Sequence, residues 1–393
     1  MEKRIWISSG INLKLNSRLK TNKNLITMKK VNHLRLYIFL ILLCFSNSIF
    51  CQNIEKEIRT SPKNVIFMIG DGMGLSHVHA AMTVSQKKLN LQQFPVIGLQ
   101  ETESSDNYIT DSAASATALA SGEKARNGVV GINPDGAFTE SIIEVLIKQG
   151  FKTGLIATNT ITHATPAAFI AHQPDRNMYE EIAADISNSG INIIIGGGLK
   201  HFTDRADKLN LVEKMKKQGY DFFEDVSQIN SSRDKVLALT ANSHMPFKIN
   251  GRGDFLPVAV EMALYSLNKD NDKGFFLMVE GSQIDPACHN NDQEQFLAEM
   301  LDFDKAIGVA LDFARENGET LVVVTGDHET GGVTVLKGNY ETGEVKVNFS
   351  TKGHTGVMLP VYSYGPGSEI FSGFFDNTDF KERFIFSLNL KNK

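Results

Sequence analysis

The segment NVIFMIGDG at residues 64–72 is a continuous apolar run that ends in an aspartate between two glycines. Such a run is typical of a strand buried on both faces of a parallel sheet. Similar apolar runs recur at residues 153–157, 191–195, 274–279 and 320–325. Amphipathic helical patterns lie between them, at residues 139–149, 179–189 and 292–315. The alternation predicts an α/β fold with a mostly parallel central sheet and helices on both faces.

Polar clusters follow four of these apolar runs directly. They begin at Asp71, at residue 158, at Glu280 and at the pair Asp327-His328. In open α/β sheets, ligands bind beyond the carboxyl ends of the strands. The coincidence of four polar clusters at strand ends predicts one functional site at that edge.

Three regions lie outside the strand and helix alternation. Residues 200–254 are polar and lysine-rich, and we expect loops and short helices there. Residues 332–350 alternate in polarity around an Asn-Tyr-Glu-Thr-Gly turn, which predicts a β-hairpin. A last helix is predicted over residues 378–387, with Phe380, Phe384 and Phe386 as core contacts.

The segment ITDSAASATALA at residues 109–120 predicts a helix that begins at or near Ser112. Serine and aspartate cap helix N-termini, and alanine is the best helix former. The N–H groups and the dipole at a helix N-terminus favour an anion, so Ser112 is a candidate nucleophile. Taken alone, the same residue types favour an ordinary N-cap.

Three further segments carry residue types that bind metal ions. Residues 280–289, EGSQIDPACH, can supply carboxylate and imidazole ligands from one loop, as in zinc or mixed zinc and magnesium sites. Residues 325–332, TGDHETGG, place Asp327 and His328 directly after an apolar strand, where an uncompensated charge is costly. Residues 352–356, KGHTG, add His354. A solvated loop is the simpler interpretation of the first segment alone.

The N-terminal region differs in composition from the rest of the 393-residue chain. A basic run at residues 29–35 and an apolar run at residues 36–45 have the lengths of a signal peptide, and the apolar run is too short to span a membrane. We expect residues 1–27 to be an upstream extension, residues 28–51 a signal peptide and residues 52–393 a single catalytic domain. Periplasmic or secreted localisation follows, with a lipid anchor at Cys51 as the weaker alternative.

The composition excludes some classes of partner. Residues 52–393 contain 31 basic and 44 acidic residues, a net charge of −13, which argues against nucleic acid binding. Cys288 is the single cysteine in that range, so an internal disulfide is excluded there.

Six motifs, in this order, resemble those of the alkaline phosphatase family: GDGMG, TDSAASATA, THATPAAFIAHQPDR, EGSQIDPACH, TGDHETGG and KGHTG. The resemblance spans about residues 64–379. It implies a metal-dependent hydrolase of small-molecule phosphate monoesters that forms a phosphoserine intermediate on Ser112. It also implies that Arg176, at the end of AHQPDR, binds the substrate phosphate.

The resemblance further implies two zinc ions and a third ion, commonly magnesium. The implied ligands are Asp285, His289 and His354 for one zinc; Asp71, Asp327 and His328 for the other; and Asp71, Thr165 and Glu280 for the third ion. Asp71 would therefore bridge two ions.

The chain departs from the family pattern at several positions. His163 stands where some relatives carry an aspartate, so zinc could replace magnesium as the third ion. Pro286 stands where relatives often place a larger or charged side chain near the phosphate. His354 follows His328 by 26 positions, which leaves room for a hairpin but not for a sizeable crown domain. A homodimer is possible, but a reduced crown weakens that expectation.

Two other functions are compatible with parts of the sequence. A sulfatase would need a C/S-x-P-x-R motif, and the segment that begins at Ser112 lacks both the proline and the arginine. A phosphodiesterase of the same superfamily remains open. A phosphate- or metal-binding protein without catalysis is the third alternative, although binding alone does not require a metal-activated hydroxyl.

Overall fold

The computed structural model describes residues 61–229 and 233–390, which belong to one compact unit. The predicted upstream extension at residues 1–27, the signal peptide at residues 28–51 and the alternative anchor Cys51 lie outside the described residues. Within the described ranges, no helix combines the length and the apolar character needed to cross a bilayer.

The described residues form fourteen strands and eleven α-helices. The strands are β1 Asn64–Gly70, β2 Val96–Glu101, β3 Lys152–Thr160, β4 Ile193–Gly197, β5 Asp221–Phe223, β6 Val236–Leu239, β7 Phe275–Gly281, β8 Thr320–Gly326, β9 Glu329–Thr330, β10 Val333–Asn339, β11 Glu344–Phe349, β12 His354–Thr355, β13 Leu359–Tyr364 and β14 Gly373–Asp376. The helices are α1 Leu75–Ser85, α2 Ser112–Ser121, α3 Ile142–Lys148, α4 Ala164–Ala167, α5 Tyr179–Asn188, α6 Leu199–Thr203, α7 Leu211–Lys217, α8 Phe255–Asn268, α9 Ile284–His289, α10 Gln293–Asn317 and α11 Asp379–Ser387.

One ten-stranded sheet organises the fold, in the order β14-β2-β13-β8-β1-β7-β3-β4-β6-β5. The pairs from β8 through β1, β7, β3, β4 and β6 to β5 are all parallel. Strand β13 runs antiparallel to both β2 and β8. The predicted α/β fold with a mostly parallel central sheet is therefore confirmed.

The two faces of the sheet pack against two separate apolar layers, because successive side chains of a strand point to opposite faces. Val65, Phe67 and Ile69 of β1 belong to one layer, whose helical residues include those of α2, α3, α5 and α11. Ile66 and Met68 belong to the other, together with residues of α1, α8 and α10. Every residue of β1 is buried, as expected of a strand covered on both sides.

The prediction for residues 200–254 was incomplete, because this region also completes the sheet. Strands β5 and β6 lie there, and β6 pairs in parallel with β4. The four residues of β6, VLAL, are all buried, but such a short apolar run does not distinguish a strand from a helical turn. The hairpin predicted at residues 332–350 is present as β10 and β11.

An aromatic cluster attaches the C-terminal helix α11 to the sheet. The Phe384 ring lies 5.1 Å from that of Phe67 and 5.3 Å from that of Phe276, between ring centroids. Phe380 stacks on Phe67 at 5.3 Å. The prediction that Phe386 is a core contact was wrong, since this residue is 69% exposed. At 3.6 residues per turn, residue 386 turns away from the face that carries residues 380 and 384.

The two phenylalanines provide a matched test of this packing. Phe384→Ala should lower the free energy of unfolding by about 3–5 kcal/mol, because it removes a buried ring and leaves a cavity. Phe386→Ala should change it by less than about 0.5 kcal/mol, as expected of a surface position. Urea denaturation of zinc-saturated protein measures both values, and equal losses would contradict the packing described here.

Candidate active site and metal centre

The site lies at the carboxyl ends of three adjacent parallel strands. Gly70 of β1 is in register with Gly281 of β7 and with Gly326 of β8. Asp71 and Asp327 each follow one of these glycines, and Glu280 of β7 pairs with the residue before Gly70. The sheet register therefore brings together three carboxylates that are far apart in sequence.

Ser112 is the first residue of α2, and Asp111 is the N-cap residue, whose side chain accepts a hydrogen bond from the Ala114 N–H. All ten residues of the helix are buried, and most are alanine or serine, small enough for close packing. The Ser112 hydroxyl lies 3.1 Å from Nε2 of His328. The predicted nucleophile thus stands at a helix N-terminus, in contact with the carboxyl edge of the sheet.

Asp285, His289 and His354 form the first group of possible metal ligands. Nε2 of His289 lies 3.1 Å from an Asp285 carboxylate oxygen and 3.2 Å from Nε2 of His354. Burial would raise the pKa of Asp285, but its hydrogen bonds with the two histidines outweigh burial and hold that pKa well below its ordinary value. The hydrogen bond with Asp285 raises the pKa of His289.

Backbone carbonyls orient both imidazoles of this group. Nδ1 of His354 lies 2.8 Å from the Thr110 carbonyl oxygen, and Nδ1 of His289 contacts the Lys352 carbonyl. A carbonyl can only accept, so each Nδ1 donates and Nε2 is the nitrogen that faces the group; release of the Nε2 proton on metal binding would expose its lone pair. Metal-binding histidines in proteins are oriented in this way.

Asp71, Asp327 and His328 form the second group, and none of the three side chains is exposed. Nε2 of His328 lies 3.3 Å from an oxygen of each aspartate. Burial and the neighbouring Asp327 raise the pKa of Asp71 well above its ordinary value. Burial also raises the pKa of Asp327 to about 6 and lowers that of His328 well below its ordinary value.

Asp71, His163 and Glu280 form the third group. Burial raises the pKa of Glu280 to about 7. Burial, together with Arg176, lowers the pKa of His163 to about 3. Thr165 is fully buried in α4, two residues after His163.

Several buried polar atoms in these groups have no hydrogen-bond partner among the described residues. They are Asp71 Oδ1 and Oδ2, Asp327 Oδ2, Glu280 Oε1, Thr165 Oγ1 and His163 Nδ1. Buried polar groups are normally satisfied, and unpaired buried carboxylates are especially costly. Carboxylate, hydroxyl and imidazole donors are the ligands of zinc and magnesium sites. The donor set therefore fits bound cations.

Arg176 lies beside the serine and the third group. Its guanidinium donates to an Asp111 carboxylate oxygen at 2.8 Å and lies 3.3 Å from Nε2 of His163. The Asp111 side chain therefore both caps α2 and holds Arg176. The site residues predicted from the sequence all lie in this region: Asp71, Ser112, His163, Thr165, Arg176, Glu280, Asp285, His289, Asp327, His328 and His354.

Sequence reasoning missed two residues that connect these groups. The Thr330 hydroxyl donates to Asp285 at 2.5 Å and lies 3.1 Å from Nδ1 of His328, so it links the first two groups. Gly72 has φ of +76°, and a Cβ there would approach the Asp285 Cα to 3.0 Å. Both residues lie within the quoted motifs, but the motifs do not reveal a contact between two loops.

Several histidines and Cys288 surround the site without belonging to its ligand groups. His77 is fully buried, with Nε2 3.1 Å from the Thr330 carbonyl oxygen and 3.2 Å from the Cys288 sulfur. His172 lies 3.1 Å from a Glu144 carboxylate oxygen. These contacts give His77, His172 and Cys288 structural roles.

Comparisons with known proteins show which family the chain belongs to. The family model described as "Alkaline phosphatase" matches residues 62–347. The chain belongs to the alkaline phosphatase family. It is 34% identical over 416 residues to alkaline phosphatase 3 of Bacillus subtilis, an alignment that covers 84% of this chain and 89% of that protein.

Solved structures of alkaline phosphatases also match. The enzyme from the Antarctic bacterium TAB5 superposes with a TM-score of 0.80 at 40% identity, covering 85% of this chain and 100% of that one. A cold-active enzyme from a Shewanella species gives a TM-score of 0.76 at 30% identity, covering 83% and 99%. As an alkaline phosphatase, the protein is a metal-dependent phosphomonoester hydrolase.

The buried carboxylates predict an unusual pH dependence for metal-free protein. The pKa values of Glu280 and Asp71 are raised above the unfolded values near 4, and those of His289 and His354 above about 6.5, so above about pH 6.5 the folded state binds more protons. The melting temperature should therefore fall as pH rises through this window. Asp285, His163 and His328 have the opposite sign because their pKa values are lowered, but their contributions are already complete above about pH 6.5.

Circular dichroism melting of chelator-treated protein from pH 6.5 to pH 8.5 measures this effect. Added zinc should restore the melting temperature, most strongly near pH 8. Glu280→Gln should flatten the decline, whereas Glu316→Gln, at an exposed position, should leave it unchanged. If the melting temperature of the metal-free protein rises with pH across this window, the raised pKa values described here are contradicted.

Proposed function

We propose that this alkaline phosphatase hydrolyses phosphate monoesters with Ser112 as its nucleophile, through a phosphoserine intermediate. The observation that carries the proposal is the position of the Ser112 hydroxyl, 3.1 Å from His328 and at the edge of the three ligand groups. A serine hydroxyl is a weak nucleophile by itself, and coordination to a metal can activate it without a histidine base. The three groups supply the ligands for such activation.

Two zinc ions and a third cation would occupy the three ligand groups. Asp285, His289 and His354 would hold one zinc ion. Asp71, Asp327 and His328 would hold the second, and Asp71, Glu280 and Thr165 the third cation. When bound, the ions supply positive charge that favours the ionised serine oxygen and neutralises the substrate phosphate.

Arg176 would bind two phosphate oxygens through parallel N–H donors, a geometry that lysine cannot reproduce. Asp111 preorganises the guanidinium through their 2.8 Å contact. The N–H groups at the start of α2 favour an anion at the same place. Positioning and charge stabilisation supply most of the catalysis in phosphoryl transfer.

The chemical cycle has two displacements at phosphorus. First, the Ser112 oxygen forms a bond to phosphorus as the ester P–O bond breaks, and the alcohol leaves with a proton. Water then attacks the phosphoserine, which releases inorganic phosphate and returns the serine hydroxyl. Arg176 can hold the equatorial oxygens during both steps.

His163 supports zinc rather than magnesium as the third cation. Imidazole suits zinc, whereas magnesium prefers oxygen ligands. In two structures of the TAB5 enzyme, a histidine has been replaced by glutamate or aspartate, and magnesium is bound. A histidine in this ligand group would favour the opposite choice.

Export and dimer formation are further parts of the proposal. The basic and apolar runs before residue 51 support secretion or a periplasmic location.

Exposed Leu75, Val357 and Met358 line a surface cavity of about 450 Å³, and an apolar patch of this kind often marks an interface. Sedimentation velocity distinguishes a homodimer from a monomer.

The central prediction of this proposal concerns Ser112. Ser112→Ala should lower kcat for p-nitrophenyl phosphate by at least about 10³-fold, because the covalent route is lost, while the zinc content stays unchanged. Mass spectrometry of acid-quenched protein should find a phosphoryl group on Ser112 only in the unaltered enzyme. Retained turnover with normal metal content would exclude the serine as the nucleophile.

The alternative functions have a direct discriminating assay. The rate with p-nitrophenyl phosphate should exceed the rates with the bis-ester and the sulfate analogue. Faster hydrolysis of the bis-ester would favour a phosphodiesterase, and faster hydrolysis of the sulfate a sulfatase. A zinc-saturated protein that binds phosphate but turns over none of the three would be a binding protein.

A further inference from the structure

The His163 imidazole is held from its outer side by two neighbouring side chains. One is Arg176, whose guanidinium lies 3.3 Å from Nε2 of His163. The other is His244, whose ring meets that of His163 edge to face, with centroids 6.1 Å apart and planes at 88°. Arg176 is also the proposed phosphate ligand, so its contact with His163 would change on substrate binding. The contact with His244 does not depend on substrate.

His244 is itself oriented by Asn159, at the end of β3. Nδ1 of His244 contacts the Asn159 side-chain oxygen, which also accepts a hydrogen bond from the Thr160 N–H at 2.9 Å. Because that oxygen can only accept, Nδ1 of His244 carries the proton and donates. The amide thereby fixes both the tautomer and the plane of the His244 ring. Backbone carbonyl oxygens accept from Nδ1 of His289 and His354 in the same way in the first ligand group.

The loop that carries His244 is attached to the ligand-bearing edge of the sheet. The side-chain amide of Gln283 donates to the Met245 carbonyl at 2.8 Å and to the Thr158 carbonyl at 3.1 Å. Gln283 lies between Glu280 and Asp285, and it is 4% exposed. One buried amide thus connects the His244 loop, strand β3 and the loop that supplies two ligand groups. The position of His244 is therefore set by the same elements that position Glu280.

We propose that His244 is a positioning residue for the third metal site: it holds the His163 imidazole beside Asp71 and Glu280 and thereby favours zinc there over magnesium. The inference rests on the proposed third site. His163 can bind an ion only if its ring plane stays directed at the two carboxylates. A mobile imidazole loses its advantage as a ligand, whereas the oxygen ligands that magnesium prefers do not depend on that ring.

The experiment measures metal content rather than activity. Full-length protein is dialysed against buffered series of zinc and of magnesium, and the ions bound per chain are counted by inductively coupled plasma mass spectrometry. His244→Ala should raise the dissociation constant of the third zinc ion about tenfold, the usual effect of removing a group that orients a ligand. The two tighter zinc ions and the magnesium affinity should stay unchanged.

Two further variants make the result specific. His244→Phe keeps an aromatic ring against His163 but loses the hydrogen bond with Asn159, and should recover only part of the zinc affinity. His201→Ala is the matched control, because the His201 ring packs 4.9 Å from that of Tyr179, and it should have no effect. A third-site zinc affinity within twofold of the unaltered value in His244→Ala would overturn the proposal. An unaltered protein that binds only two zinc ions would overturn the zinc preference of the third site and this inference together, while leaving the role of Ser112 intact.

Discussion

Three carboxylates buried within reach of one another, on Asp71, Asp327 and Glu280, are the constraint on which the rest of the site depends. Their unpaired oxygens and raised pKa values show that the polypeptide does not satisfy them by itself. In water each would be solvated, so their burial is favourable only with compensating cations. The histidines of the ligand groups and Ser112 lie around these carboxylates, where compensating cations would bind.

The scaffold holds these charges in place through the sheet. Parallel pairing of β1 with β7 and β8 fixes their spacing, and an apolar layer on each face keeps β1 from moving. Loop contacts complete the arrangement: Thr330 links two groups of possible ligands, and Asp111 links helix α2 to Arg176. The ligand positions therefore depend on packed strands more than on flexible loops, which suits a preorganised site.

Much of the fold could be predicted from the sequence because its strands are long apolar runs. Strand β1 is buried on both faces, so its pattern is unambiguous. Short strand β6 escaped prediction, since four apolar residues also fit a helix. Phe386 was wrongly assigned to the core. It follows Phe384 by two residues, so it lies on a different side of the helix and is exposed. The predicted ligands lie together in the structure, although their metal-binding roles rest on the family resemblance.

Contacts between loops could not be predicted from spacing. Thr330 and Gly72 stand in quoted motifs, but their partner Asp285 is far away in sequence. His244 lies in a polar segment without a motif, and only the sheet brings it to His163. Such residues orient ligands rather than bind them, so their residue type alone does not distinguish them from surface positions.

Anomalous diffraction at the zinc absorption edge, from crystals of the zinc-saturated protein, tests the central claim most directly. The account predicts strong peaks within the group of Asp285, His289 and His354 and within the group of Asp71, Asp327 and His328. An ordered site at high resolution, with the carboxylates hydrogen-bonded to one another or to water and no anomalous peak, would contradict it.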